Sequence, residues 1–416
     1  MNEHGRDDHE PSYQERHANV TTDNALDARI SRFLHKEAEK IHFTPELRNS
    51  ILQKVPSRRP LRRNHITFAV LASAAALILA LSSLTYFALH PATQAGIHYT
   101  LGKEISVAPE LADGGLLLSL DPTEQHIVYQ PANQVGVLYT ADLDDPVQSN
   151  ELAMRYARDM AWAPDGSALV ATVTPTNTVH PLLALVPKGQ YMHLLGHNNA
   201  LAANWSPTNA NEIMFAQQQN GKTQLWSTNT SGAPATLQVS MSEPLLVQHM
   251  IWSPNGHNLA LVVSQSGAVT RESLNEPERA IYVMDLQNNK LTRLVTPGSF
   301  TIGNVAWSPD GNKLTYEQIA ANKKVILQTI NMSQPDEQTS ITPQHQLAGW
   351  SWSSDSRALV YSDGGKLTAY VFHGTPIVFP QTQQQLTSPF WLKNGQILCM
   401  QITNGKGNLT LLTPQK

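Results

Sequence analysis

Histidine is the side chain most often recruited for metal binding and for proton transfer near neutral pH. This 416-residue chain has 16 of them. Their spacing argues against a metal centre. His4, His9 and His17 stand in a polar amino-terminal stretch with no core to organise ligands. His193 and His197 are four apart, but Leu194-Leu195-Gly196 between them reads as strand and turn, so the two rings do not share a helix face. The one cysteine, Cys399, has no second cysteine to pair with. On a predicted inner strand it reads as a small buried hydrophobe, with a nucleophile as the alternative. Neither Gly-x-Ser-x-Gly, nor a Gly-rich phosphate loop, nor His-Glu-x-x-His occurs. Gly349-Trp350-Ser351-Trp352-Ser353 comes nearest to the first and lacks its second glycine. The residues point to no enzyme, no metal and no cofactor.

The aspartates Asp165, Asp310 and Asp355 recur at one place in a repeated phrase, which shifts attention to the elements that carry them. The clearest copies are Trp162-Ala163-Pro164-Asp165-Gly166, Trp252-Ser253-Pro254-Asn255-Gly256 and Trp307-Ser308-Pro309-Asp310-Gly311. Weaker copies sit at Leu120-Asp121-Pro122, Trp205-Ser206-Pro207, Trp352-Ser353-Ser354-Asp355-Ser356 and Trp391-Leu392-Lys393-Asn394-Gly395. Anchored on the proline slot, the seven copies are spaced by 42, 43, 47, 55, 45 and 39 residues. Proline presets the first turn position, and Asp or Asn before Gly supplies a tight reversal. Short strands rich in Leu, Val and Tyr follow, such as 167–173, 258–263, 313–317 and 357–362. One strand-turn signature every 40–50 residues is the pattern of a β-propeller blade. The aspartates are then turn formers first, with a cation or ligand site at one mouth of the ring as the alternative. Six of the eight tryptophans occupy one motif slot, which predicts a repeated packing role between sheets, with carbohydrate or ligand stacking as the alternative.

The phrase resembles the TolB-type propeller repeat over roughly residues 97–416. That resemblance implies an all-β propeller, of six blades in the usual TolB form, serving as an envelope scaffold, receptor or accessory domain. Seven copies here favour seven blades. The last copy predicts strands at 396–402 and 408–412 and leaves outer strands missing, so residues 97–106 and 115–120 are expected to close the ring. The 55-residue step holds an insertion, residues 264–280, carrying Arg271, Glu272, Glu276, Glu278 and Arg279. Long loops commonly carry function, so these five are the candidate binding residues.

Ahead of the repeats, residues 66–89 form 24 positions without a charge. As a helix they extend about 36 Å, enough to cross a hydrocarbon core of about 30 Å. Arg58, Arg59, Arg62 and Arg63 precede the run and the next basic residue after it is Lys103. This asymmetry predicts a single span with the amino terminus cytoplasmic and the propeller outside. A cleaved signal peptide is the competing reading. It is disfavoured by the long stretch ahead of the run and by the lack of an Ala-x-Ala site. Residues 1–22 read as a disordered polar tail. Residues 23–65 read as a helical module, with Leu26, Ile30, Phe33 and Leu34 on one apolar stripe and a second helix opening at Thr44-Pro45-Glu46. Residues 90–96 are a linker. The layout of helical module, one span and external domain resembles membrane-bound anti-sigma factors, without the zinc site of one class, since His35 has no cysteine beside it.

Charge agrees with that division. Residues 1–65 carry 12 basic and 10 acidic side chains, and those after 89 carry 17 and 23. A mildly acidic propeller has no footprint for nucleic acid. The expected function is binding of a protein or envelope ligand by an external propeller. Relay of a signal to a cytoplasmic partner such as a sigma factor is its specific version, and helices that merely pad or dimerise the anchor are the alternative to it. The alternatives are an enzyme of lyase or glycosidase type in the propeller channel, which needs paired carboxylates or a His/Tyr/Arg cluster, and a TolB-like envelope scaffold.

Overall fold

A computed structural model describes residues 96–415, except 109, 113–114, 133, 135, 153–156, 175–179 and 265–276. The expected tail, helical module and span, with Leu26, Ile30, Phe33 and Leu34, lie outside the described residues. Among those described there is no helix, and so none long and apolar enough to cross a membrane.

The repeated phrase folds as a hairpin turn whose serine is its brace. In the fourth copy the Ser253 hydroxyl donates to Asn255 Oδ1 (2.7 Å) and accepts from the Asn258 backbone N–H (2.9 Å). Ser308 does the same with Asp310 (2.5 Å) and Lys313 (2.9 Å), and Ser353 with Asp355 (2.7 Å) and Ala358 (2.9 Å). The next slots form an i to i+3 turn, with Gly256 N–H donating to Ser253 O at 2.9 Å and Gly311 N–H to Ser308 O at 2.8 Å. Those glycines sit at φ 73° and 71°, the left-handed position that ends such a turn in a bulge. The motif aspartates are therefore turn formers. In the first copy Asp121 takes the serine slot, and its Oδ1 accepts from the backbone of Gln125 (2.8 Å) and His126 (2.7 Å).

Each hairpin opens one antiparallel sheet. Blade 1 begins at Leu116–Leu120, blade 2 at Ala157–Trp162, blade 3 at Ala200–Ser206 and blade 4 at Leu246–Trp252. Blades 5, 6 and 7 begin at Phe300–Trp307, Leu347–Trp352 and Gln385–Trp391. Blades 1 to 5 have four strands in sequence order, and blade 6 has three. Seven apolar cores lie between successive sheets. One holds Val128 of blade 1 with Leu169 of blade 2, another Leu327 of blade 5 with Leu359 of blade 6, and the last Tyr129 of blade 1 with Leu398 of blade 7. Seven sheets joined pairwise by seven cores make a closed seven-bladed propeller among the described residues.

The ring closes by strand exchange between the two ends of this domain. Ile97–Ile105 pairs antiparallel with Lys406–Pro414 as the outer strand of blade 7. Tyr99 anchors it, 5% exposed, with its hydroxyl donating to Gly395 O at 2.8 Å. The expectation for residues 97–106 holds. That for 115–120 does not, because Leu116–Leu120 is the innermost strand of blade 1 and pairs with His126–Gln130. Its Leu117, 5% exposed, is needed in the core between blades 1 and 7, which an outer edge would not provide. Blade 6 is short because Ile377–Val378, where its fourth strand would run, pairs instead in parallel with Ile97–Ile105.

The motif tryptophans join neighbouring sheets. Trp205 Nε1 donates to Ala161 O of blade 2 at 3.1 Å, and Trp307 Nε1 to Ile251 O of blade 4 at 3.0 Å. Cys399 lies on the second strand of blade 7, fully buried, and burial pushes its thiol pKa up.

Candidate binding site at the propeller axis

The innermost strand of every blade carries a register shift. It falls between Ala157 and Met160 in blade 2, Val247 and His249 in blade 4, Ile302 and Val305 in blade 5, and at matching places in the others. Such a bulge bends the strand and re-aims one side chain. Three residues ahead of the motif tryptophan, the successive blades 2 to 7 present Asp159, Ala202, His249, Asn304, Gly349 and Ser388. The chemistry of the axis is set at this position.

On one side Asp159 ties three blades together. Its Oδ2 accepts from the Ala203 N–H of blade 3 (3.1 Å) and the Met250 N–H of blade 4 (3.2 Å). Its Oδ1 lies 3.1 Å from His249 Nδ1, and His249 Nε2 is 3.4 Å from Glu278 Oε1. Blade 3 stands between Asp159 and His249, and the small Ala202 at its matching slot leaves room for the contact. Burial opposes charging the ring, but the Asp159 and Glu278 carboxylates outweigh it and raise the His249 pKa to about 10. The ring is 39% exposed, so solvent screens part of that effect.

On the opposite side, blades 5, 6, 7 and 1 enclose a cavity of ≈ 1070 Å³. Its floor is built around Glu317 on the second strand of blade 5, 9% exposed. Glu317 Oε1 accepts from Trp350 Nε1 (2.9 Å) and Asn304 Nδ2 (3.0 Å), and Oε2 accepts from the Asn304 backbone N–H (3.2 Å). Gly303 leaves space for this carboxylate, since a Cβ there would collide with Glu317 Oε2 and displace it. Leu116 and Leu118 face this space 46% and 39% exposed. Gln346 and Gln385 stand at the ends where the innermost strands begin. The insertion leaves the ring at that same end, because Leu246 at the start of its strand pairs with Ser264.

The candidate residues of the insertion divide. Arg271, Glu272 and Glu276 fall outside the described residues. Glu278 joins the His249 cluster, and Arg279 N–H donates to Val263 O at 2.9 Å as the next strand begins. His193 lies on the outer strand of blade 2, while His197 contacts Thr228 Oγ1 at 3.1 Å and stacks on Phe215. Among the described residues no cluster of three or more His, Cys, Asp or Glu is arranged to hold a metal ion. Sequence reasoning missed Asp159, His249, Glu317 and Trp350. Aligning the copies three residues ahead of the tryptophan would have exposed the first two.

No protein-family model matches the chain, and no curated protein matches it. Similar solved structures include TolB from Acinetobacter baumannii, 16% identical, covering 81% of this chain and 68% of that one at a TM-score of 0.40. Hydrazine synthase from Kuenenia stuttgartiensis is 10% identical, covering 65% and 79% at 0.45. A putative TolB from Agrobacterium tumefaciens is 16% identical, covering 58% and 88% at 0.40. At these scores the likenesses carry no argument, and the fold rests on the seven sheets and seven cores.

Proposed function

We propose that this chain is a non-enzymatic binding protein. One span at residues 66–89 anchors it, its amino terminus is cytoplasmic, and its propeller takes a ligand at the axis on the outer side of the membrane. The observation that carries the binding reading is the chemistry of the cavity wall. Among its described residues Glu317 is the one ionisable side chain, so no second carboxylate or base stands ready to complete an acid–base pair. In the His249 cluster the Asp159 and Glu278 carboxylates are taken up by the His249 ring and by the Ala203 and Met250 N–H groups. The charge-free run with arginines on one flank supports the anchor and its orientation.

Cross-linking the full-length chain in intact cells, then purifying it from membranes, tests the reading together with a protease-accessibility assay of both ends. A carboxyl terminus digested from outside and an amino terminus protected uphold the orientation. Protection of both ends overturns it. Turnover of a captured ligand, measured as chemical change after incubation, overturns the non-enzymatic reading. Relay of a signal to a cytoplasmic partner through Leu26, Ile30, Phe33 and Leu34 is the finer version. It stands if a regulator co-purifies with the full chain and is lost from Ile30→Asp/Leu34→Asp.

A further inference from the structure

The wall of the ≈ 1070 Å³ cavity has a composition that selects among ligands. Trp350 lies two residues before the motif tryptophan Trp352 and packs one side against the core between blades 5 and 6. Its ring lines the cavity, half-buried, and the bond from Nε1 to Glu317 Oε1 fixes its orientation. An aromatic face held before a ligand arrives loses little freedom on binding. Around it the polar groups are neutral. The Gln346 and Gln385 side chains are exposed at the rim, with no hydrogen-bond partner among the described residues.

No lysine, arginine or histidine lines the cavity among the described residues. An anionic ligand would meet a buried carboxylate with no compensating cation, which disfavours phosphates and uronic acids. Three neutral donors bond Glu317, two on Oε1 and one on Oε2, so Oε2 keeps room to accept one hydroxyl group. A fixed indole face, amides that both donate and accept, and one acceptor carboxylate oxygen match a ligand with an apolar ring face and a hydroxyl edge. The volume lies just above the ~300–1000 Å³ typical of small-molecule sites, leaving room for more than one ring.

We propose that this cavity is a saccharide site, taking a neutral oligosaccharide segment with one sugar ring stacked on Trp350 and its hydroxyls bonded to Glu317 Oε2, Gln346 and Gln385. The inference rests on the reading of the propeller as a binding domain and names the ligand class of that site.

The test uses the full-length chain in detergent, titrated with hexamers of glucose, β-linked glucose and N-acetylglucosamine, and with the hexamer of galacturonic acid as the acidic control. Binding is followed by calorimetry and tryptophan fluorescence, and the sugar is recovered afterwards for mass analysis. Saturable binding of at least one neutral hexamer is expected, with none of the acidic one. Trp350→Ala should weaken it by about tenfold or more, and Trp350→Phe should keep part of the affinity. Gln385→Leu, at an exposed position, should weaken binding with no change in thermal unfolding. Failure of every neutral hexamer at millimolar concentration overturns the proposal, as does unchanged affinity in Trp350→Ala or preferential binding of the acidic hexamer. Those results leave the wider binding reading intact. Recovery of shortened sugar would instead overturn the non-enzymatic reading while the saccharide class stood.

Discussion

Asp159→Ala and Asp159→Asn separate two things that one carboxylate does. In the wild type Oδ2 satisfies the buried N–H groups of Ala203 and Met250, while Oδ1 holds His249 as an imidazolium. Alanine removes both functions. Two buried backbone donors left unpaired cost about 1–3 kcal/mol each, so Asp159→Ala should destabilise the propeller by about 4 kcal/mol. Asparagine can keep its carbonyl oxygen on the two N–H groups and loses only the charge. The His249 pKa of about 10 against 6.5 unfolded gives a ceiling of about 5 kcal/mol for charging the ring. Solvent reaches 39% of that side chain and Glu278 shares the interaction. The Asp159 share is therefore about 1–2 kcal/mol. Its sign follows from the raised pKa: the contribution is fully present below pH 6.5 and fades as pH rises through about 10. Chemical unfolding of the full-length chain, followed by tryptophan fluorescence at pH 6, 8 and 10, should show wild type and Asp159→Asn converging toward pH 10. A gap constant from pH 6 to 10, or an Asp159→Ala cost under about 1 kcal/mol, refutes the three-blade tie.

Tyr99→Ala should cost about 3–5 kcal/mol in the same unfolding assay, since it empties the core that holds the closing strand against Phe379 and Trp391. An effect near zero would mean that the exchange strand does not close the ring. Trp205→Phe and Trp307→Phe should each lose about 2–3 kcal/mol, from the inter-blade bond made by Nε1 and from the void that the smaller ring leaves. Cys399, fully buried with its thiol pKa pushed up, should resist maleimide in the native protein and react once denaturant unfolds it, as read by mass spectrometry. Fast native labelling would contradict its position in the core.

The propeller was legible in sequence because its turns are local. A serine bracing an Asp two residues on and an N–H five residues on needs nothing beyond the phrase itself, and Ser308 with Asp310 and Lys313 shows the whole device within six residues. Blade number followed from counting such phrases, even where Leu120 replaces the tryptophan and Asp121 the serine. The outer closing strand was also readable, because a last copy with two strands after its turn demands a partner from elsewhere. The role of residues 115–120 was not, since an apolar run such as Leu116–Leu120 fits an inner or an outer strand equally well by pattern alone.

Contacts at the axis belong to a different order of information. Asp159 and His249 are 90 residues apart and meet only because two sheets flank a third that has alanine in between. Trp350 and Glu317 meet across a blade boundary through a bulge that no propensity announces. Yet the repeat itself supplies the missing signal. Where a motif position is structural, its copies converge, as the tryptophans do. Where copies at one position diverge into Asp, Ala, His, Asn, Gly and Ser, each blade answers its own neighbours, as the buried Ala202, and Gly349 beside Ser388, show. That is the position, three residues ahead of the tryptophan, at which this ring carries its chemistry.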